Sequence, residues 1–227
     1  MKKLAIVGTA SSWKDAPYDD DEFEIWAMND MYDLVPRFDV LFDIHDIDFI
    51  KSYVSRISKT FHYDNLKRIG ENQQIWMQNQ DKDIKLSSTY PLEDMIKKYG
   101  RYFTNSVSYM LALAMDSGFE VINIYGVNMT GGGEYQDQKP SCEYFIGLAR
   151  GQGIEVYLPE QSDLLKANFM YGYEQNKADP FIEKCKNRMK FLDKQKQQTE
   201  KQIQGLTTLL NRTEGSIEDL KYIMNTY

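Results

Sequence analysis

The sequence predicts an α/β protein: a Rossmann-like, largely parallel sheet with flanking helices, continued by a C-terminal α-helical coiled-coil tail. Three observations carry this expectation. Short, nearly continuous apolar runs alternate with stretches of helical periodicity, the pattern of strands buried on both faces and joined by crossover helices. Several of these runs stop abruptly at a Gly, an Asn or an Asp/His cluster. From about Ala178 the pattern changes to a sustained 3-4 spacing of apolar positions.

The elements follow in order. Leu4-Ala5-Ile6-Val7 reads as a first strand ending at Gly8-Thr9-Ala10-Ser11-Ser12. Glu24 to Met28 ends at Asn29-Asp30, and Val40 to Ile44 ends at His45-Asp46. The stretch Ile47 to Arg68 has helical character of lower regularity. Gln74 to Met77 is a fourth strand, while the charged, turn-rich segment 80–100 is left unassigned. Tyr109, Met110, Leu113 and Ala114 recur at helical spacing between Ser106 and Ser117, with Gly118 as the stop. Val121 to Tyr125 is a strand ending at Gly126. A helix is expected from Ser141 to Arg150, then a last strand from Ile154 to Leu158, before Pro159.

Two domains are expected, 1–177 and 178–227. Asp179-Pro180 suits a helix start, with Pro in the first turn. Ile182, Cys185, Met189, Leu192, Lys196, Thr199, Ile203, Leu206, Leu210, Thr213, Ile217, Leu220 and Met224 then keep coiled-coil spacing, interrupted by three polar members. Gly205 weakens the stretch, and Gly215 followed by Ser216-Ile217-Glu218-Asp219 resembles a break with a new cap. One long helix and a helical hairpin both satisfy the pattern. A seam of this kind must be buried, so residues 178–227 are expected to form a homo-oligomer or to pack on the main domain.

Composition bounds the function. The 227 residues are 42% hydrophobic and 27% charged, which excludes a disordered or collagen-like chain. No run of about 18 apolar residues exists to span a membrane. Met1-Lys2-Lys3 begins like a signal sequence, but the apolar run ends at Gly8. Two cysteines, Cys142 and Cys185, make neither a disulfide framework nor a four-cysteine zinc site, so a reducing cytoplasm is expected (host cytoplasm if the protein is viral). The net charge of −7 is uneven: residues 181–227 carry 9 Lys/Arg against 6 Asp/Glu, so the acidity lies in the remainder. An acidic main domain argues against a nucleic-acid-binding surface, although a pocket for one phosphate remains open.

In an open parallel sheet, ligands sit beyond the carboxyl ends of the strands. The candidates are therefore the residues that follow each run. Gly8, Thr9, Ser11 and Ser12 form a turn whose N–H groups and hydroxyls suit an anion, or simply a capped strand-to-helix turn. Neither GxGxxG nor the Walker lysine is present. Asn29 offers donors and acceptors for a base or ribose, or else closes an Asx-turn. Asp43 and His45 share one strand face and suit an oriented base or metal ligation. Asp46-Ile47-Asp48 looks like a DxD motif, or like the acidic first turn of a helix. His62 lies in a polar, surface-like stretch and takes no role. Asn105 and Ser106 cap the strong helix and present its N-terminus to a phosphate. Gly126, Asn128, Thr130 and Tyr135 line a glycine-rich loop that is ligand-adjacent or merely flexible, with Tyr135 and Tyr144 placed to close over a bound group.

In this order, these motifs resemble the Rossmann-like group that contains the bacterial family-42 sialyltransferases and the MptE-like proteins, over about residues 3–160. Gly8 to Trp13 stands where that group has Gly-x-Gly-Pro-Ser-Leu, and Met28-Asn29-Asp30 where its second strand presents a nucleotide-contacting Asn. Thr104 to Met110 resembles its Thr-Ser-Gly-x-Tyr helix start, and Ile124 to Met129 its Leu-Ser-Gly-Ile-Asp-Phe strand end. The departures are specific. The place of the sialyltransferases' catalytic His falls near Gln136, and no His occurs between 63 and 227. Of the two phosphate-holding Tyr residues, Tyr135 has a match, whereas the other place holds Thr130. Small proteins of this shape are common in bacteriophage genomes.

The resemblance implies binding of a nucleotide or nucleotide-sugar and glycosyltransferase-like transfer from an activated donor, with His45 as base, Asp43 orienting it, and no metal or other cofactor required. Two alternatives stand beside it: a non-catalytic scaffold acting through its coiled coil, and a metal-dependent phosphotransferase of the MptE-like type using the Asp43–Asp48 cluster with a divalent cation.

Overall fold

The computed structural model describes residues 1–131, 133–167, 169–174 and 180–226. Its strands are β1 (Lys3–Val7), β2 (Phe23–Met28), β3 (Val40–Asp43), β4 (Gln74–Met77), β5 (Ser87–Thr89), β6 (Val121–Tyr125) and β7 (Glu155–Tyr157). They form one sheet in the order β5-β4-β3-β2-β1-β6-β7, and every neighbouring pair is parallel. The helices are α1 (Ile47–Ser52), α2 (His62–Ile69), α3 (Leu92–Tyr99), α4 (Ser106–Asp116), α5 (Glu134–Gly151) and α6 (Pro180–Thr226). The α/β Rossmann-like expectation with a helical tail is met.

Strand alternation explains the two layers. Leu4, Ile6, Trp26, Met28, Phe42, Ile122 and Ile124 face one core, with Met110, Leu111 and Phe145 opposite. Ala5, Val7, Ile25, Ala27, Leu41 and Ile75 face the other, with Ile50 and Leu66. Because both faces are covered, the central strands are nearly continuous apolar runs, with Lys3, Glu24, Asp43 and Asn123 as the polar exceptions. Helix α4 is buried nearly all round, with Val107, Met110, Leu111, Ala112 and Ala114 at 3% exposure or less, which accounts for its continuous apolar composition.

The strand order reverses between β1 and β6, the switch point at which a crevice is expected. There the two backbones nearly touch. Gly8 N–H donates to Tyr125 O at 2.9 Å, and Ala10 N–H to Gly126 O at 2.7 Å. Gly126 has φ +66°, and a Cβ on it would lie 2.1 Å from Gly8 O. Only glycine tolerates both conditions.

Two expectations need correction, and two points that the sequence left open are decided. The helical stretch 47–68 is two helices, α1 and α2, separated by a loop in which Ser55 N–H donates to Thr60 O and Ser55 Oγ donates to Asp33. Segment 80–100 holds β5 and α3. β5 escaped notice because its buried Ser87 is satisfied by hydrogen bonds to Asp81 O and Ile84 O rather than by an apolar side chain. Helix α5 begins at Glu134, ahead of the expected Ser141, and contains Pro140. Near this proline, the Asp137 and Gln138 carbonyls accept from Thr104 Oγ1 and Asn105 Nδ2. Finally, the tail is one uninterrupted helix of 47 residues, so Gly215 does not break it and the hairpin is ruled out. The chain divides into two units, Met1–Lys166 and Ala167–Tyr227. The expected boundary at 177/178 and the helix-start residue Asp179 lie outside the described residues.

Candidate functional site

A cavity of about 540 Å³ opens at the C-terminal rim of the sheet, at the β1/β6 switch point. It gathers Gly8 and Thr9 from the turn after β1, Asn29 from the end of β2 and His45 from the end of β3. Asn105 and Ser106 come from the start of α4, Gly126 and Asn128 from the loop after β6, and Tyr135 from the start of α5. Segments far apart in sequence therefore meet because parallel strands all end on one rim. Thr104, which leads the helix-start motif, lines it too, as do Phe103, Tyr109 and Gln138, which were not singled out as binding residues from the sequence. No Lys or Arg is among its described lining residues.

Four sequence candidates are placed elsewhere. Ser12 is buried, and its Oγ accepts from Gly126 N–H at 2.9 Å, which ties the two switch-point turns together. Ser11 and Thr130 are exposed and do not line the cavity. Tyr144 also lies apart: its hydroxyl donates to Tyr99 O at 3.3 Å and its ring packs on Tyr102.

Asn29 is held at φ +52°, in the left-handed region. Its side chain neither caps the 3-10 turn Asn29–Asp33 nor closes an Asx-turn. Its Oδ1 is buried without a hydrogen-bond partner, which marks a place where a ligand donor fits. Asn105 is fully committed to the protein: Oδ1 accepts from Ser108 N–H at 2.9 Å while Nδ2 donates to Gln138 O at 2.8 Å. It therefore fixes the start of α4, whose first N–H groups have no intrahelical acceptor and whose residues Ser106 and Val107 line the cavity. Asn128 Oδ1 accepts from Asp163 N–H at 3.2 Å. Asp163 Oδ1 in turn accepts from Met129 N–H at 2.7 Å, and its Oδ2 lies 3.0 Å from Lys139 Nζ.

The ionisable part of the site is a linear network. His45 Nδ1 donates to Asp43 Oδ1 at 2.7 Å, and His45 N–H bonds the same oxygen at 3.2 Å. The other carboxylate oxygen, Oδ2, accepts from His62 Nε2. Tyr32 Oη lies 2.6 Å from His62 Nδ1 and accepts from Asn65 Nδ2 at 3.2 Å. Tyr32 thus links Asn65 to the His62 ring. The lack of a role for His62 is thus corrected: it is 1% exposed and holds Asp43, also 1% exposed, from the side opposite His45. Burial alone would raise the Asp43 pKa, but the hydrogen bonds from both histidines prevail and bring it down to about 2. The same bond to Asp43 raises His45 above 6.5, against partial desolvation. His45 keeps Nε2 free for chemistry, while its ring leans on Phe49 at 4.7 Å.

The Asp43–Asp48 cluster does not converge. Asp46 Oδ1 accepts from Asp48 N–H at 2.8 Å as the N-cap of α1, and Asp43 is occupied by the two histidines. Among the described residues, no group of three or more His, Cys, Asp or Glu side chains is arranged to hold a metal ion.

No family model matches this sequence, and no curated protein matches it. Solved structures do. The sialyltransferase CstII from Campylobacter jejuni, in complex with the substrate analogue CMP-3FNeuAc, superposes with a TM-score of 0.50 at 18% identity, over 78% of this chain and 93% of that one. The sialyltransferase Cst-II bound to a trisaccharide acceptor and CMP gives the same score and identity, covering 89% of its chain. The monofunctional α-2,3-sialyltransferase Cst-I from Campylobacter jejuni matches at 16% identity and a TM-score of 0.50, over 86% of this chain and 95% of that one. At these identities the likeness is one of fold: the chain has a sialyltransferase-like architecture. No described helix is long and apolar enough to cross a membrane.

Proposed function

We propose that this protein binds a nucleotide-sugar in the switch-point cavity and transfers the sugar to an acceptor hydroxyl. The observation that carries the reading is the convergence on one cavity of an unpartnered, buried Asn29 Oδ1, a capped helix N-terminus and a histidine oriented by a buried carboxylate. Asn29 accepts a hydrogen bond from the base or ribose. The N–H groups at Ser106, Val107 and Thr9 meet the phosphate. With no Lys or Arg among the described lining residues, the cavity suits a donor with a single phosphate better than a diphosphate. The neighbours solved with CMP and a CMP-sugar analogue make a CMP-linked sugar the first donor to test.

In the transfer, His45 Nε2 removes the acceptor's hydroxyl proton as the acceptor oxygen bonds to the sugar carbon. The bond from that carbon to the phosphate oxygen breaks, and the nucleotide leaves with the electron pair. A well-placed base of this kind is worth about 10²–10⁴-fold. Asp43 orients His45 and stabilises the imidazolium that forms, and His62 with Tyr32 holds Asp43.

A second reading is nucleotide binding without transfer. It is favoured by Gln136, which stands where the resembling sialyltransferases carry their catalytic His. Titrating the protein with CMP, UMP and UDP by calorimetry tests binding, and release of CMP from a CMP-sugar tests transfer. Saturable CMP binding with turnover that His45→Ala abolishes is the expected result. Binding without turnover selects the second reading, and absence of binding to every nucleotide overturns both.

A further inference from the structure

We infer that α6 pairs with α6 of a second copy of this chain as a parallel, in-register, two-stranded coiled coil. The inference rests on the tail alone and is independent of the proposed function. A helix of 47 residues is about 70 Å long and cannot be stabilised by its own backbone propensity when it carries glycines at 205 and 215. Its amphipathic seam must supply the rest.

Assigning Ile182 to heptad position a puts Ile203 and Ile217 at a as well, and Leu192, Leu206 and Leu220 at d. Every seam isoleucine thus falls at a and three of the four seam leucines at d, the distribution that selects parallel two-stranded pairing. Both glycines fall outside the seam, Gly205 at c and Gly215 at f, with open space where a side chain would project. They weaken the helix without interrupting the contact surface. Leu206 is 66% exposed and Leu220 60% exposed, so nothing within their own unit covers these seam residues.

The polar seam positions are also prepared for burial. Thr199 and Thr213 donate their hydroxyls to Gln195 O at 3.0 Å and Leu209 O at 2.9 Å, so neither brings an unpaired donor into the interface. Lys196, a lone charge at a, has Glu200 at 3.9 Å on its own helix and is the kind of residue that fixes register. In the parallel register, Arg188 at g of one chain faces Asp193 at e of the other, an opposite-charge pair.

The native thiols supply the test. Cys142 is buried and Cys185, at d, is exposed. In the parallel dimer, Cys185 faces Cys185 of the second copy. Mild diamide oxidation of the full chain should yield a disulfide-linked dimer that Cys185→Ser abolishes. Light scattering should report twice the monomer mass before oxidation. The double variant Ile203→Lys, Leu206→Lys should halve that mass without shifting thermal unfolding of the main unit. A monomeric wild-type mass would overturn the inference and leave the seam to pack elsewhere. A dimer that oxidation does not link would overturn the parallel arrangement, and a trimer or larger particle the two-stranded one.

Discussion

His62, the first residue of α2, donates through Nε2 to Oδ2 of Asp43, the last residue of β3. Nineteen positions separate them, and both are removed from solvent. This bond makes Asp43 a fixed acceptor rather than a side chain free to rotate away from His45. The first prediction concerns that support. His62→Ala leaves a buried carboxylate oxygen and the Tyr32 hydroxyl without their partner, at a cost of about 1–3 kcal/mol. Urea unfolding should show this loss, and NMR should show a broadened or shifted His45 titration. A variant as stable as the parent, with an unchanged His45 titration, would remove His62 from the network.

Acid stability provides the second. Asp43 has a pKa of about 2 in the fold against an ordinary 3.8, so its contribution is complete above pH 4 and is lost as pH falls toward 2. The difference is about 2 kcal/mol. In Asp43→Asn the unfolding free energy should vary less over that interval than in the parent. Equal slopes in the two proteins would show that other carboxylates dominate.

The third follows from His45. Its pKa is raised above 6.5 by Asp43, so its stabilising charge is complete below pH 6.5 and disappears as pH rises through the raised value. As a base it must be neutral. Turnover should therefore rise with pH through a midpoint above 6.5, and Asp43→Asn should move that midpoint down. A rate that falls over this range would assign His45 an acid's role instead.

Asn29 separates stability from binding. Asn29→Gly relieves the left-handed backbone at φ +52° but removes the unpartnered Oδ1. The melting temperature should hold or rise, while CMP affinity drops about tenfold, the equivalent of one hydrogen bond of about 1.4 kcal/mol. Unchanged affinity would place the nucleotide away from Asn29.

Gly126→Ala tests the switch point. The new methyl would lie 2.1 Å from Gly8 O at a positive φ, so the turns after β1 and β6 must separate. A loss of at least about 2 kcal/mol is expected, or about 4–8 °C in Tm. Retention of both Tm and nucleotide binding would show that the close approach is dispensable.

By itself, the sequence determined the periodic features. Apolar runs located six of the seven strands, the 3-4 spacing located the tail, and abrupt strand ends at Gly8, Asn29, His45 and Gly126 marked residues that the structure gathers on one rim. Such features are local: side-chain alternation and helical spacing are written in neighbouring residues. β5 was not legible, because Ser87 is buried through hydrogen bonds to Asp81 and Ile84, which no hydropathy pattern records. Nor was the continuity of α6 past Gly215, since a glycine on the outer face costs propensity without interrupting the seam. Only the tertiary structure decided that Ser12 braces Gly126 rather than lining the cavity, that Asn105 is consumed by capping, and that His62 lies beneath Asp43. Those outcomes depend on where the ends of β1, β3 and β6 and the starts of α2, α4 and α5 meet. The order of a parallel sheet sets that meeting, through contacts between residues that the chain keeps far apart.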